Sequence, residues 1–176
     1  MIPAPALRIE PAILDEAQAV AVVHVLSWQH AYRGIFPDEF LAQLSVERRT
    51  AMWRDSIATG RPQVLVARIE DRVAGFIAFG PCRDVAAPET TAEVWAFYLA
   101  PDRWSTGMGR ALWEAARGRM LLQGAHRASL WVLASNPRAI RFYLAAGFHP
   151  EAGSIKPFTM GGVQVQEERY VQELGD

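Results

Sequence analysis

A single α/β (α+β) domain built on one mixed sheet is the fold class that this sequence predicts, and three observations carry it. The chain has 176 residues, 51% hydrophobic and 21% charged. That is enough for one full core without staples, so residues 1–176 read as one domain. Strand-like segments come first as a hairpin and later as a strand–helix–strand crossover, which calls for antiparallel and parallel pairing in one sheet. ASLWVLA (128–134) is a near-continuous apolar run, the pattern of a strand buried on both faces.

The elements follow in order. LRIEPA, near Leu7–Ala12, reads as a first strand. Asp15 to about His30 carries Ala19, Val22, Val23 and Leu26 at helical spacing, and YRGIFPDEF breaks that helix with Gly34 and Pro37. Asp38–Leu44 forms a short helix, and Ser45 caps another from Val46 to about Ala58. QVLVARI (63–69), the turn pair Glu70-Asp71 and RVAGFIAFG (72–80) make a hairpin. A strand over Ala92–Ala100 leads to a glycine-rich corner and a helix over Met108–Gln123. The strand 128–134, a helix over Pro137–Ala146 and a last strand around Gln166–Glu173 complete six to seven strands.

Composition narrows the function. The formal net charge is −1, so no strong field recruits nucleic acid or an anionic membrane. Cys82 is the one cysteine, which suits a reducing compartment. The start MIPAPALRIEPAI has neither a basic head nor a long apolar run, so a signal peptide is not expected. No stretch reaches the ~18 apolar residues of a membrane span. A cytoplasmic location is the expectation. The four histidines have no metal-ligand spacing, and no metal is expected.

Two corners carry chemistry. In PDRWSTGMGRALW (101–113), Gly107 and Gly109 stand between a strand and a helix. A helix start offers unpaired N–H groups and partial positive charge, and glycine lets a ligand come close. Together they make an anion site, most often for phosphate. The lysine of a P-loop and the third glycine of a dinucleotide fingerprint are both missing. The second corner is LWVLASNPRAIRFYLAAGF (130–148). Asn136 is an N-cap, Pro137 a first helical residue and Gly147 a C′ residue, with Ala139, Phe142, Tyr143 and Ala146 on one helix face.

Taken together, W-S-T-G-M-G at 104–109 and N-P-R-A-I-R-F-Y-L-A-A-G-F at 136–148 resemble the two motifs of the GCN5-related N-acetyltransferase (GNAT) superfamily. The likeness runs from about residue 62 onward, while residues 14–60 match only in being helical. The first motif departs from the family's Q/R-x-x-G-x-G/A: Trp104 replaces the usual Gln or Arg, and Ser105 a common glycine. The second is complete.

The resemblance implies a mixed, mostly antiparallel sheet flanked by helices, with a splayed strand pair forming the cofactor cleft. It implies an enzyme, an acetyl-CoA-dependent N-acetyltransferase acting on a primary amine of a small molecule or peptide through a ternary complex. Backbone N–H groups along Ser105, Thr106, Gly107, Met108, Gly109 and Arg110 would hold the coenzyme A pyrophosphate beside Trp104. The backbone of Phe97, Tyr98 and Leu99 would pair with the pantetheine arm and polarise the thioester oxygen. Asn136 would touch the same arm. Tyr143 matches the family's tyrosine near the sulfur, a candidate general acid, and Glu93 the general-base glutamate of some members. Trp28, Tyr32 and Trp95 would line an aromatic acceptor pocket. No nucleic acid, membrane or metal partner is implied; dimers are common in proteins of this kind, and the sequence does not decide the matter. The altered loop motivates a second reading, a non-catalytic coenzyme A-binding sensor or interaction module on the same fold.

Overall fold

Thirteen elements follow one another along residues 6–175, the part of the chain described in this computed structural model. They are β1 (Leu7–Pro11), α1 (Ala17–Ala31), α2 (Asp38–Ala42), α3 (Val46–Thr59), β2 (Gln63–Ile69), β3 (Arg72–Pro81), β4 (Thr91–Leu99), α4 (Met108–Leu122), β5 (Arg127–Leu133), α5 (Pro137–Ala145), β6 (His149–Pro150), β7 (Lys156–Met160) and β8 (Val163–Glu173). Single 3₁₀ turns lie at Leu14–Glu16 and Pro101–Arg103.

Local chemistry explains the boundaries. Ser45 Oγ accepts the Arg48 N–H at 3.1 Å to open α3, and Gly60 closes it in the left-handed region. Asn136 Oδ1 accepts the Ala139 N–H at 3.2 Å to open α5, with Pro137 next. Glu70 and Asp71 take positive φ at the β2–β3 turn.

The strands lie in the order β1-β2-β3-β4-β5-β8-β6, with β7 on β8, and only β4 and β5 run parallel. The sheet therefore has eight strands rather than six or seven. The two-residue β6 and the five-residue β7 are additional, and β8 begins at Val163 rather than near Gln166. Gly161 and Gly162, at φ 58° and 77°, form the tight turn that pairs β7 with β8.

Both sheet faces are covered. On one face, Leu112 and Trp113 of α4 pack on Leu65, Ile77, Val94, Leu130, Phe148 and Tyr170. On the other, Val20 and Val23 of α1 and Trp53 of α3 pack on Val66, Phe76 and Ala78. A third cluster joins the α1–α2 region to the β7–β8 hairpin through Phe36, Leu41, Leu133 and Val165. Burying one such large side chain is worth roughly 1.5–3 kcal/mol before entropy.

Two irregularities position the site. The β3–β4 register shifts where Ala78 faces Ala96 and Phe79 faces Val94, leaving Trp95 as the extra, bulged residue. The β4–β5 ladder stops at Val94 and Leu130, so Trp95–Leu99 and Trp131–Leu133 splay apart.

Candidate functional site

The splay opens a cleft of about 710 Å³ that passes between β4 and β5. Ala100 N–H bonds Ala74 O on the β3 side. Backbone groups alternate along a strand, so the N–H and C=O of Phe97 and the N–H of Leu99 face the cleft. The Leu99 carbonyl is already taken, accepting from Ser27 Oγ at 2.6 Å and Trp104 Nε1 at 3.1 Å. A free strand edge of this kind accepts an extended ligand by main-chain pairing.

At one mouth stands the loop before α4. Gly107 is its N-cap at φ 86°, and a Cβ there would meet nothing within 4 Å. The position thus combines a glycine-only conformation with open space in front of the helix N–H groups. Ser105 also sits at φ 62°. Serine stands here in the backbone region that glycine favours. Thr106 Oγ1 donates to Arg103 O at 2.7 Å, shaping the loop from inside. Gly109 has a different reason to be small: its Cβ would lie 3.1 Å from Phe142 Cε2, so it lets α5 approach α4.

Trp104, where a polar donor was expected, folds back instead. Its Nε1 holds Leu99 O, and the Arg138 guanidinium lies 3.1 Å from the ring centroid. Arg110, Arg138 and Arg141 all border this mouth. Burial lowers the Arg138 pKa from its ordinary value, but the group remains cationic at neutral pH. The rim therefore suits a ligand carrying several phosphates.

Tyr143 lines the cleft centre, with Phe97, Phe142 and Phe148 rings 5.4–6.5 Å away. Burial, and then the neighbouring Tyr98, raise its pKa well above that of an ordinary phenol. Burial also raises Tyr98 and Tyr32. All three phenols are protonated at neutral pH. Tyr98 stacks on buried His24 at 4.8 Å, and His24 Nδ1 accepts from Trp53 Nε1 at 3.1 Å. Burial, helped by Arg49, lowers the His24 pKa to about 3, so this imidazole is neutral.

Another part of the lining is aromatic. Trp28 and Phe36 are stacked with centroids 6.2 Å apart, and Tyr32 meets each edge-on. Phe158, Met160 and Glu167, from β7 and β8, close this side.

Most residues expected at the site line this one cleft: Phe97, Tyr98 and Leu99 along the free edge, Trp104, Ser105, Gly107, Gly109 and Arg110 at the loop, and Asn136 and Tyr143 on the second corner. Trp28, Tyr32 and Trp95 line it as well. Thr106 and Met108 do not; Met108 is 2% exposed and packs into the core. Glu93 is also outside the lining. It is 1% exposed and receives the Arg83 backbone N–H at 2.8 Å as well as the Arg83 guanidinium, which lies on the Trp95 ring. The bond to Glu93 is the leading cause of a raised Arg83 pKa. Both Glu93 carboxylate oxygens are thus occupied by Arg83, away from the cleft.

Sequence reasoning passed over Arg138 and Arg141, although their i, i+3 spacing beside Tyr143 put them on neighbouring helix positions. It also passed over Phe158, Met160 and Glu167. The Gly161-Gly162 pair was the available signal for the hairpin that carries them.

Among the described residues no helix is long and apolar enough to cross a membrane, and no cluster of His, Cys, Asp and Glu is arranged to hold a metal. Residues 25–148 match the family model described as Acetyltransferase (GNAT) family. An uncharacterised N-acetyltransferase, YuaI, of Bacillus subtilis is 32% identical over 162 residues, covering 92% of this chain and 90% of that protein. A PaiA N-acetyltransferase from Thermoplasma acidophilum, solved in complex with coenzyme A, superposes with a TM-score of 0.78 at 20% identity, covering 96% of this chain and 99% of that one. YncA from Salmonella typhimurium, a putative acetyltransferase solved with acetyl-CoA, gives 0.74 at 21% identity, covering 97% and 95%. The family match spans both glycine loop and tyrosine helix, and the B. subtilis relative extends it over nearly the whole chain: the protein is an acetyltransferase of the GNAT family.

Proposed function

We propose that this protein transfers the acetyl group of acetyl-CoA directly to the primary amine of a small molecule or peptide, in a ternary complex. The observation that carries the reading is the single cleft, with a phosphate-suited loop at one end, a free strand edge through its middle and a protonated tyrosine at its centre. The coenzyme A complex of the Thermoplasma protein and the acetyl-CoA complex of the Salmonella protein support the choice of co-substrate.

The residues divide the work as follows. The N–H groups opening α4, with Arg110, Arg138 and Arg141, hold the pyrophosphate and terminal phosphate. Phe97 N–H and C=O and Leu99 N–H pair with the pantetheine amides. One of these N–H groups polarises the thioester oxygen as the amine attacks. An alkyl amine with pKa ~10 must first give up a proton to water or a protein group. Collapse of the tetrahedral adduct forms the amide and breaks the C–S bond. The departing thiolate takes its proton from the Tyr143 hydroxyl. A thiol with pKa ~8.5 cannot leave so basic a phenolate standing, so Tyr143 regains a proton originating from the ammonium. The products are an N-acetyl amide, coenzyme A thiol and one proton.

The alternative of a non-catalytic coenzyme A-binding module drew on the altered loop. Because Ser105 keeps the glycine-like backbone and Trp104 braces Leu99, the loop change argues less strongly for that alternative. Tyr143→Phe tests the catalytic reading, since Phe preserves the ring packing and removes only the hydroxyl. Turnover should fall about 100-fold, the lower range for losing a general acid, with acetyl-CoA affinity unchanged within about twofold. Unchanged turnover would remove Tyr143 from the acid role.

A further inference from the structure

The acceptor mouth has a specific chemical character. Residues facing each other across the ladders Leu133↔Glu167 and Lys156↔Glu167 share one sheet face, the face that also carries Trp131. Leu133 belongs to the cluster with Phe36, Trp28, Tyr32, Phe158 and Met160. The cleft thus joins the phosphate loop and an aromatic chamber in one lining. Glu167 is the one carboxylate lining the cleft among the described residues. It is ion-paired with Lys156 at 3.2 Å, and the Lys156 ammonium sits 3.5 Å from the Trp131 ring centroid.

We propose that the acceptor is a hydrophobic aromatic monoamine, with its ammonium held by Glu167 and its ring enclosed by Trp28, Tyr32, Phe36 and Phe158. This rests on the acetyltransferase reading above and names the substrate class of the same cleft.

Three features favour this acceptor. Glu167 is the one acidic partner in the lining among the described residues and already shares its charge with Lys156, so a second ammonium would find no anionic partner there. Arg49, 5.8 Å from the Trp28 ring centroid, adds positive charge beside the chamber and disfavours a polyamine. The half-buried Trp28, Tyr32 and Phe158 present aromatic surface to the cleft, and aromatic pairs gain specifically from offset or edge-on packing. A flat ring fits such walls, whereas a peptide backbone would bring amide groups for which the chamber walls, apart from Glu167 and the Tyr32 hydroxyl, supply few partners.

The test is a kinetic comparison of tryptamine, phenethylamine, spermidine and an alanine-starting tetrapeptide at fixed acetyl-CoA, with acetyl-CoA binding measured separately by calorimetry. The two arylalkyl amines should give kcat/KM at least 30-fold above spermidine and the peptide. Glu167→Gln should raise the amine KM tenfold or more while the acetyl-CoA KM stays within twofold; a general loss of structure would move both. Phe158→Ala, which leaves the carboxylate in place, should raise the KM for tryptamine at least fivefold. A preference for spermidine or the peptide, an absence of transfer to the arylalkyl amines while acetyl-CoA binds, or an unmoved amine KM in Glu167→Gln would overturn the proposal and leave the acetyltransferase reading intact. Failure to bind acetyl-CoA would overturn both.

Discussion

Replacing Ser105 by glycine should stabilise the protein. Ser105 holds φ 62°, a region that costs a residue with a Cβ about 1–2 kcal/mol. Glycine removes that cost but surrenders roughly 0.5–1 kcal/mol through the greater freedom of the unfolded chain. The exposed Ser105 hydroxyl makes no hydrogen bond among the described residues, so nothing else is lost. At the midpoints of the two ranges the net gain is about 0.75 kcal/mol. In a chain of this size that raises Tm by about 1–4 °C. Thermal unfolding followed by circular dichroism reads the shift, and calorimetric titration should show acetyl-CoA affinity equal to wild type or better. A Tm lowered by 2 °C or more would refute the reasoning, because it would mean that the serine side chain contributes something the strained backbone does not outweigh.

Further outcomes follow from two buried groups, His24 and Glu93. His24 is neutral in the folded protein, with its pKa near 3, while the unfolded chain takes up a proton near pH 6.5. Stability is therefore full above pH ~6.5 and is lost as pH falls toward 3. By pH 5 the loss is about 2 kcal/mol, and denaturant unfolding at pH 7 and 5 should show it in wild type but not in His24→Gln. Equal losses in both would contradict the assignment. Arg83→Ala leaves the Glu93 carboxylate without its main partner and should cost about 2–3 kcal/mol, less than for a fully buried pair because Arg83 itself is half-exposed. Glu93→Gln should keep turnover within about threefold; a 100-fold drop would restore Glu93 as the base.

The sequence made legible what depends on local signals. The Asn136-Pro137 start of α5, the Ser45 cap of α3 and the Glu70-Asp71 turn fall where their side chains and backbone preferences require. The two corners that hold the cleft were legible for the same reason. What was not legible depends on tertiary contact. No spacing rule reveals that Arg83, ten residues from Glu93, would neutralise it and cover Trp95. Gly109 looked like a ligand-approach glycine, yet its nearest neighbour is the Phe142 ring. Trp104 looked like a lost donor, but its indole N–H found the Leu99 carbonyl. The β7–β8 hairpin is a different case. Gly161-Gly162 marked its turn, but the short segment before it hid β7, and although Glu167 lay in the expected last strand, only the folded cleft shows that it lines the site.

The most direct test of the central claim is calorimetric titration of the purified protein with acetyl-CoA, with desulfo-CoA and ATP as comparators. The account predicts saturable 1:1 binding of acetyl-CoA and desulfo-CoA with no comparable heat from ATP, and weakening when Gly107 is replaced by valine. Absent acetyl-CoA binding, or equal binding of ATP, would contradict it.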